Sequence, residues 1–139
     1  MAIFKIENFK NEWITTKITE EGINYLSELG LFLCDKKGEF TGFNGVTSAQ
    51  LRNLFSEVKR IELKMEENED WDTDVLMLRP KIAYNTARTI QRTRGSRMKE
   101  LREVLELALK SVKAKDDFRR FSKFFEGIIA YHKVYGGKE

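Results

Sequence analysis

Seven cations, Arg79, Lys81, Arg88, Arg92, Arg94, Arg97 and Lys99, fall between Leu78 and Lys99 with no Asp or Glu among them. The whole chain is nearly balanced, with 25 Lys and Arg against 22 Asp and Glu, so the block marks a surface for something anionic rather than a general basicity. At about 100° per residue of helix, Lys81, Asn85, Arg88 and Arg92 line one face, and Leu76, Ala83, Ala87 and Ile90 fall roughly opposite. The spacing predicts a helix that packs through small apolar residues and offers cations at a pitch suited to successive phosphates. Arg52 and Lys59, two turns apart, form a second and shorter basic stripe. Tyr84 is either a ring for base stacking or a core residue. No helix-turn-helix spacing accompanies these residues, so nucleic acid would be held by its backbone and without sequence preference. The plainer alternative is a helical adaptor whose basic face docks on an acidic partner protein.

Other chemistries find less support. His132 is the single histidine, on an aromatic helix face with no Cys or Asp at ligand spacing, which favours packing or hydrogen bonding over catalysis. One His and one Cys, Cys34, about a hundred residues apart in sequence, do not make a zinc site. Glu62, Glu66, Glu67, Glu69, Asp70, Asp72 and Asp74 precede the basic block, but they lack a calcium-loop pattern and suit a solvated or partner-facing stretch. The glycines from Gly38 to Gly45 are not followed by the Lys-Ser/Thr of a phosphate loop. No enzyme activity, catalytic residue, metal or cofactor is expected.

The elements that carry these residues read as helices. A length of 139 residues suits a single domain, and one Pro with 34% charged residues suits long helices joined by few turns. Residues 1–17 are an arm carrying Ile6, Phe9 and Trp13, and they could be exchanged between copies. Thr19 caps a short helix expected to stop near Gly30, and residues 31–46 read as a loop anchored by Phe40 and Phe43. Thr47 and Gln50 form a capping box before Leu51, Leu54, Phe55, Val58, Ile61 and Met65. Asp72 caps the next helix, which Pro80 should kink or break, and Gly95-Ser96 ends the basic segment. Met98, Leu101, Leu105, Ala108, Leu109 and Val112 define the face of a further helix. Asp116 caps the last one, lined by Phe118, Phe121, Phe125, Ile128 and His132 and ended by Gly136-Gly137. The fold expected is an all-α, single-domain bundle of about five helices over residues 1–139. No stretch approaches the roughly 20 apolar residues of a membrane span, there is no secretory h-region, and a lone cysteine fits a reducing cytoplasm.

Three stretches in series, Thr47-Ser-Ala-Gln-Leu-Arg-Asn-Leu-Phe, Leu78-Arg-Pro-Lys-Ile-Ala-Tyr-Asn-Thr-Ala-Arg88 and Phe121-Ser-Lys-Phe-Phe-Glu-Gly-Ile-Ile-Ala-Tyr-His-Lys133, resemble the small subunit of type III-A CRISPR effector complexes, the Csm complex. The resemblance covers roughly residues 45–135. It implies a small, non-catalytic, cofactor-free helical protein. Such a subunit stacks in several copies along guide RNA and target single-stranded RNA, beside backbone subunits and a large subunit. By motif, Arg52, Lys81 and Arg88 become contacts for RNA or neighbouring subunits. With the charge pattern added, the candidate RNA-binding residues are Arg52, Lys59, Lys81, Arg88, Arg92, Arg94 and Arg97, with a positive ridge expected on one side of the central helix.

Overall fold

The computed structural model describes residues 4–34, 45–93 and 97–139, without the side chains of 92 and 93. All regular structure among these residues is helical, as expected: α1 (Glu12–Thr15), α2 (Glu20–Cys34), α3 (Ser48–Lys64), α4 (Trp71–Thr93), α5 (Met98–Lys110) and α6 (Lys115–Val134), with single 3-10 turns at Ile6–Asn8 and Met65–Glu67. The loop expected over 31–46 gives way to helix as far as Cys34, and residues 35–44, with Phe40 and Phe43, lie outside the described residues.

Helix α6 is the hub, because it has apolar residues on more than one flank. Phe118, Phe121, Phe125 and Ile128 are fully buried, and Phe124 is nearly so. Helix α2 runs parallel to it, with Tyr25 stacked on Phe124 and Leu26 against Gly127. Farther along, a Cβ on Gly30 would lie 2.6 Å from Tyr131 Cβ and 2.9 Å from the His132 nitrogen. Gly30 is therefore a point of backbone approach inside α2, not the end of the helix. Helix α3 crosses α6 in the opposite direction, with Phe55 on Phe125, and Glu62 accepting from Ser122 Oγ at 2.7 Å.

The arm packs on its own chain. Trp13 and Ile14 are buried, Phe9 meets Trp13 and Phe124, and the Arg120 guanidinium donates to the Ile14 and Thr15 carbonyls at 2.6 and 3.1 Å, closing the end of α1. Thr19 caps α2 as expected, accepting from the Gly22 amide at 3.2 Å and from Trp13 Nε1 at 3.0 Å. The Thr47–Gln50 capping box closes in both directions, at 3.1 and 2.8 Å. For α6 the capping carboxylate is Asp117 rather than Asp116: it reaches back to the Lys113 and Ala114 amides at 2.9 and 3.0 Å, while Asp116 pairs with Arg119. Burial opposes charge on Asp117, yet these amides and Arg120 hold its carboxyl below the usual carboxylate range.

Helix α4 departs from expectation in three ways. The helix begins at Trp71, so Asp72 lies inside its first turn, accepting from the Thr73 amide, instead of at the cap. It runs unbroken through Pro80, whose missing donor concerns the Leu76 carbonyl, and both residues lie on the exposed side where water can take the orphan acceptor. Its buried face is Val75, Leu78, Ile82 and Thr86, not Leu76, Ala83, Ala87 and Ile90; Leu76 is 61% exposed. Thr86 can be buried because its hydroxyl donates to the Ile82 carbonyl at 2.8 Å. Helix α4 packs on α3 along one flank and α5 along the other, at the edge of the bundle, so much of its surface faces solvent.

Candidate nucleic-acid interface

Setting the inward face of α4 by Val75, Leu78, Ile82 and Thr86 fixes where the rest of the helix points. Lys81, Asn85 and Arg88 then share the flank toward α3. Arg88 is exposed and has no ion-pair partner among the described residues. Tyr84, 67% exposed, stands beside them, which removes it from the core and leaves its ring available to a ligand. Between α3 and α4 opens an apolar groove of about 410 Å³, walled by Leu54, Val58, Met77 and Tyr84 and floored by Phe125.

Lys81 is not free. Its ammonium meets Glu57 Oε1 of α3 at 2.7 Å, and Arg60 reaches the same oxygen at 2.9 Å. Hydrogen bonds from Arg60 and Lys81 hold the Glu57 carboxyl down at about 2 from an ordinary 4.5. The triad carries one net positive charge; Lys81 and Glu57 line the groove, while Arg60 reaches it only through Glu57.

The other candidates do not join this ridge. Arg52 and Lys59 lie on the far side of α3, about 140° and 160° around from Glu57. Arg52 faces Glu139 at 3.6 Å; Lys59 pairs with Glu62 at 2.9 Å, its ammonium 5.9 Å from the Phe55 ring centre. Arg97 is half-buried against α2: its guanidinium sits 4.3 Å from the Phe32 ring centre and donates to the Phe32 carbonyl at 2.6 Å. The side chain of Arg92, and Arg94 altogether, lie outside the described residues. Lys81 and Arg88 are thus the two of the seven that the described structure places on the α4 flank toward α3.

His132 takes the hydrogen-bonding position expected of it. It is 1% exposed, with Nε2 2.7 Å from the Val46 carbonyl, which ties the start of α3 to the end of α6. Cys34 lies near it in space, its thiol donating to the Gly30 and His132 carbonyls at 3.3 and 3.5 Å. Among the described residues no group of three His, Cys, Asp or Glu could hold a metal ion, and no helix is long and apolar enough to cross a membrane.

A second cationic surface, not picked out by the charge pattern, lies on the opposite flank of α4. Arg79, Lys110 and Lys113 line a cleft of about 380 Å³ between α4 and α5, together with Trp71. In sequence, Arg79 is absorbed into the basic block, and the two lysines stand alone near the end of α5.

Residues 28–138 match the family described as Csm2 Type III-A. A relative from Streptococcus thermophilus, the CRISPR system Cms protein Csm2, is 29% identical over an alignment of 143 positions that covers 100% of each chain. No solved structure matches the chain.

Proposed function

We propose, from the premise that this chain belongs to the Csm2 Type III-A family and is a small subunit of that CRISPR complex, that it holds guide and target RNA by their phosphates without reading bases. The observation carrying this reading is the α4 flank, where Arg88 stands exposed without a carboxylate partner among the described residues, one and two turns from Tyr84 and Lys81. Arg92 continues the same register on the helix backbone. A support for RNA of any sequence needs charge and geometry while base pairing supplies specificity, and Lys and Arg on one helix flank meet that need. The subunit would act in the cytoplasm as a scaffold rather than as an enzyme.

Copies of the chain would stack along the effector beside its backbone and large subunits. Glu67, Glu69, Asp70 and Asp72 are exposed in and just before the first turn of α4, while the cations lie farther along, so each molecule carries opposite charge at separated places. Such polarity favours head-to-tail contact.

The test is RNA retention in a mobility-shift assay with several RNAs of unrelated sequence. The wild type should shift all of them at low salt, and Arg88→Glu should weaken that shift several-fold while its helical circular dichroism stays unchanged. Absence of any shift by the wild type at low salt would instead support docking on an acidic protein.

A further inference from the structure

We propose that the cleft between α4 and α5 is a second nucleic-acid site, taking a single strand with one base against Trp71 and neighbouring phosphates on Arg79, Lys110 and Lys113. Arg79 lies about 160° around the helix from Lys81 and about 180° from Arg88, so one stretch of backbone lying along the α3 flank does not reach it. The site is therefore separate from the one proposed above.

Its chemistry follows from what surrounds the three cations. None of them has an ion-pair partner among the described residues. Of the nearby acids, Glu106 holds Arg102 at 2.6 Å, Asp117 holds Arg120 at 2.7 Å, and Glu66 is taken by Arg119 and Lys115, while Glu69 and Asp70, which precede Trp71, are exposed and do not line the cleft. Asp72, the one carboxylate lining the cleft, accepts from the Thr73 amide at 3.0 Å. Three cations against one acid leave a net positive rim. Beyond Lys110 and Lys113 a shallower hollow adds Lys10, already paired with Glu21, and Glu12.

Between the charges the walls are apolar: Trp71 and Val75 from α4 face Leu109 and Val112. A nucleotide repeat offers the matching alternation, one flat apolar ring for every phosphate, and its base gains most from a large aromatic surface. An acidic peptide would satisfy the cations but bring no planar group per charge to the indole. A volume of about 380 Å³ also falls within the range of about 300–1,000 Å³ for small-ligand sites, enough for a base and its sugar.

The chain contains its own reporter. It has two tryptophans, and Trp13 is 1% exposed, so a ligand in the cleft acts on the emission of Trp71. Full-length protein titrated with an oligouridylate of about twelve nucleotides should show quenching. In Lys110→Glu/Lys113→Glu the apparent affinity should fall about tenfold or more at low salt, whereas Arg88→Glu should keep the quenching. Lys110→Gln/Lys113→Gln gives the same comparison without charge reversal, and Trp71→Phe should remove the signal. The proposal is overturned if the oligonucleotide does not quench, if Arg88→Glu abolishes quenching as fully as the lysine pair, or if an oligoglutamate peptide quenches and the RNA does not. Loss of Trp71 quenching with an intact gel shift leaves the α3–α4 reading standing, and the reverse result separates the two the other way.

Discussion

Replacing Gly30 by Ala sets two effects of opposite sign against each other. In the interior of α2 the change removes backbone freedom and should stabilise the helix by about 1 kcal/mol. The new methyl, however, would lie 2.6 Å from Tyr131 Cβ and 2.9 Å from both the His132 nitrogen and the Tyr131 carbonyl carbon. These atoms belong to α6 itself and cannot rotate away, so the two helices must separate. Overpacking of this kind costs about 1–3 kcal/mol, and against backbone the upper part of that range applies. The net expectation is destabilisation by about 1–2 kcal/mol. For a chain of 139 residues that corresponds to a fall in Tm of roughly 3–7 °C. Gly127→Ala is the control, because its methyl would meet the tip of Leu26, Cδ1 at 2.6 Å, with the next atoms at 3.7 and 3.9 Å. A leucine methyl can swing, so this variant should fall within about 0.5 kcal/mol of wild type. Thermal and urea denaturation of both variants would measure the difference. A Gly30→Ala protein as stable as wild type would refute the parallel α2–α6 packing described above.

Other consequences follow from single contacts. Glu57 has a depressed carboxyl, so its contribution is present above the ordinary 4.5 and is lost as pH falls toward about 2. Because the group is partly solvated, that contribution is at most about 1 kcal/mol, and Glu57→Gln should flatten the acid limb of the stability curve over this interval. The same substitution releases Lys81 and removes a negative charge from the groove rim, so RNA affinity should rise a few-fold in the mobility-shift assay; lower affinity would contradict the placement of Lys81. Asp117→Ala strips two backbone amides and Arg120 of their acceptor and should cost about 1–2 kcal/mol in chemical denaturation, whereas Asp116→Ala should cost less than about 0.5.

Much of the fold was legible because its signals are local. Thr47 and Gln50 lie three residues apart and cap each other, and the apolar periodicity of α5 and of the phenylalanines of α6 survives directly as buried faces. Two misreadings depend on what a helix faces once the bundle is assembled. Gly30 looks like a helix end until α6 lies against it, and Pro80 looks like a break until the Leu76 turn is found facing solvent. The buried face of α4 includes a polar residue, Thr86, whose hydroxyl is satisfied locally by the Ile82 carbonyl.

The site was legible only in part, for the same reason. Helical phase alone placed Lys81 and Arg88 together, but phase within one helix says nothing of how two helices are rotated against each other. The second stripe of Arg52 and Lys59 therefore gave no sign that α3 turns it away from α4, and Arg97 none that it would rest on Phe32. The acid-free block likewise concealed that Arg79 faces α5, where it meets lysines from another part of the chain.

The salt dependence of RNA binding tests the central claim most directly. If the α4 flank neutralises phosphates, the logarithm of the association constant should fall linearly with the logarithm of salt, by about 0.7 per phosphate engaged on a single strand, with the same slope for RNAs of unrelated sequence. Arg88→Glu should make that slope shallower by about one such increment. A slope near zero, one that differs between sequences, or one that Arg88→Glu leaves unchanged would contradict the account.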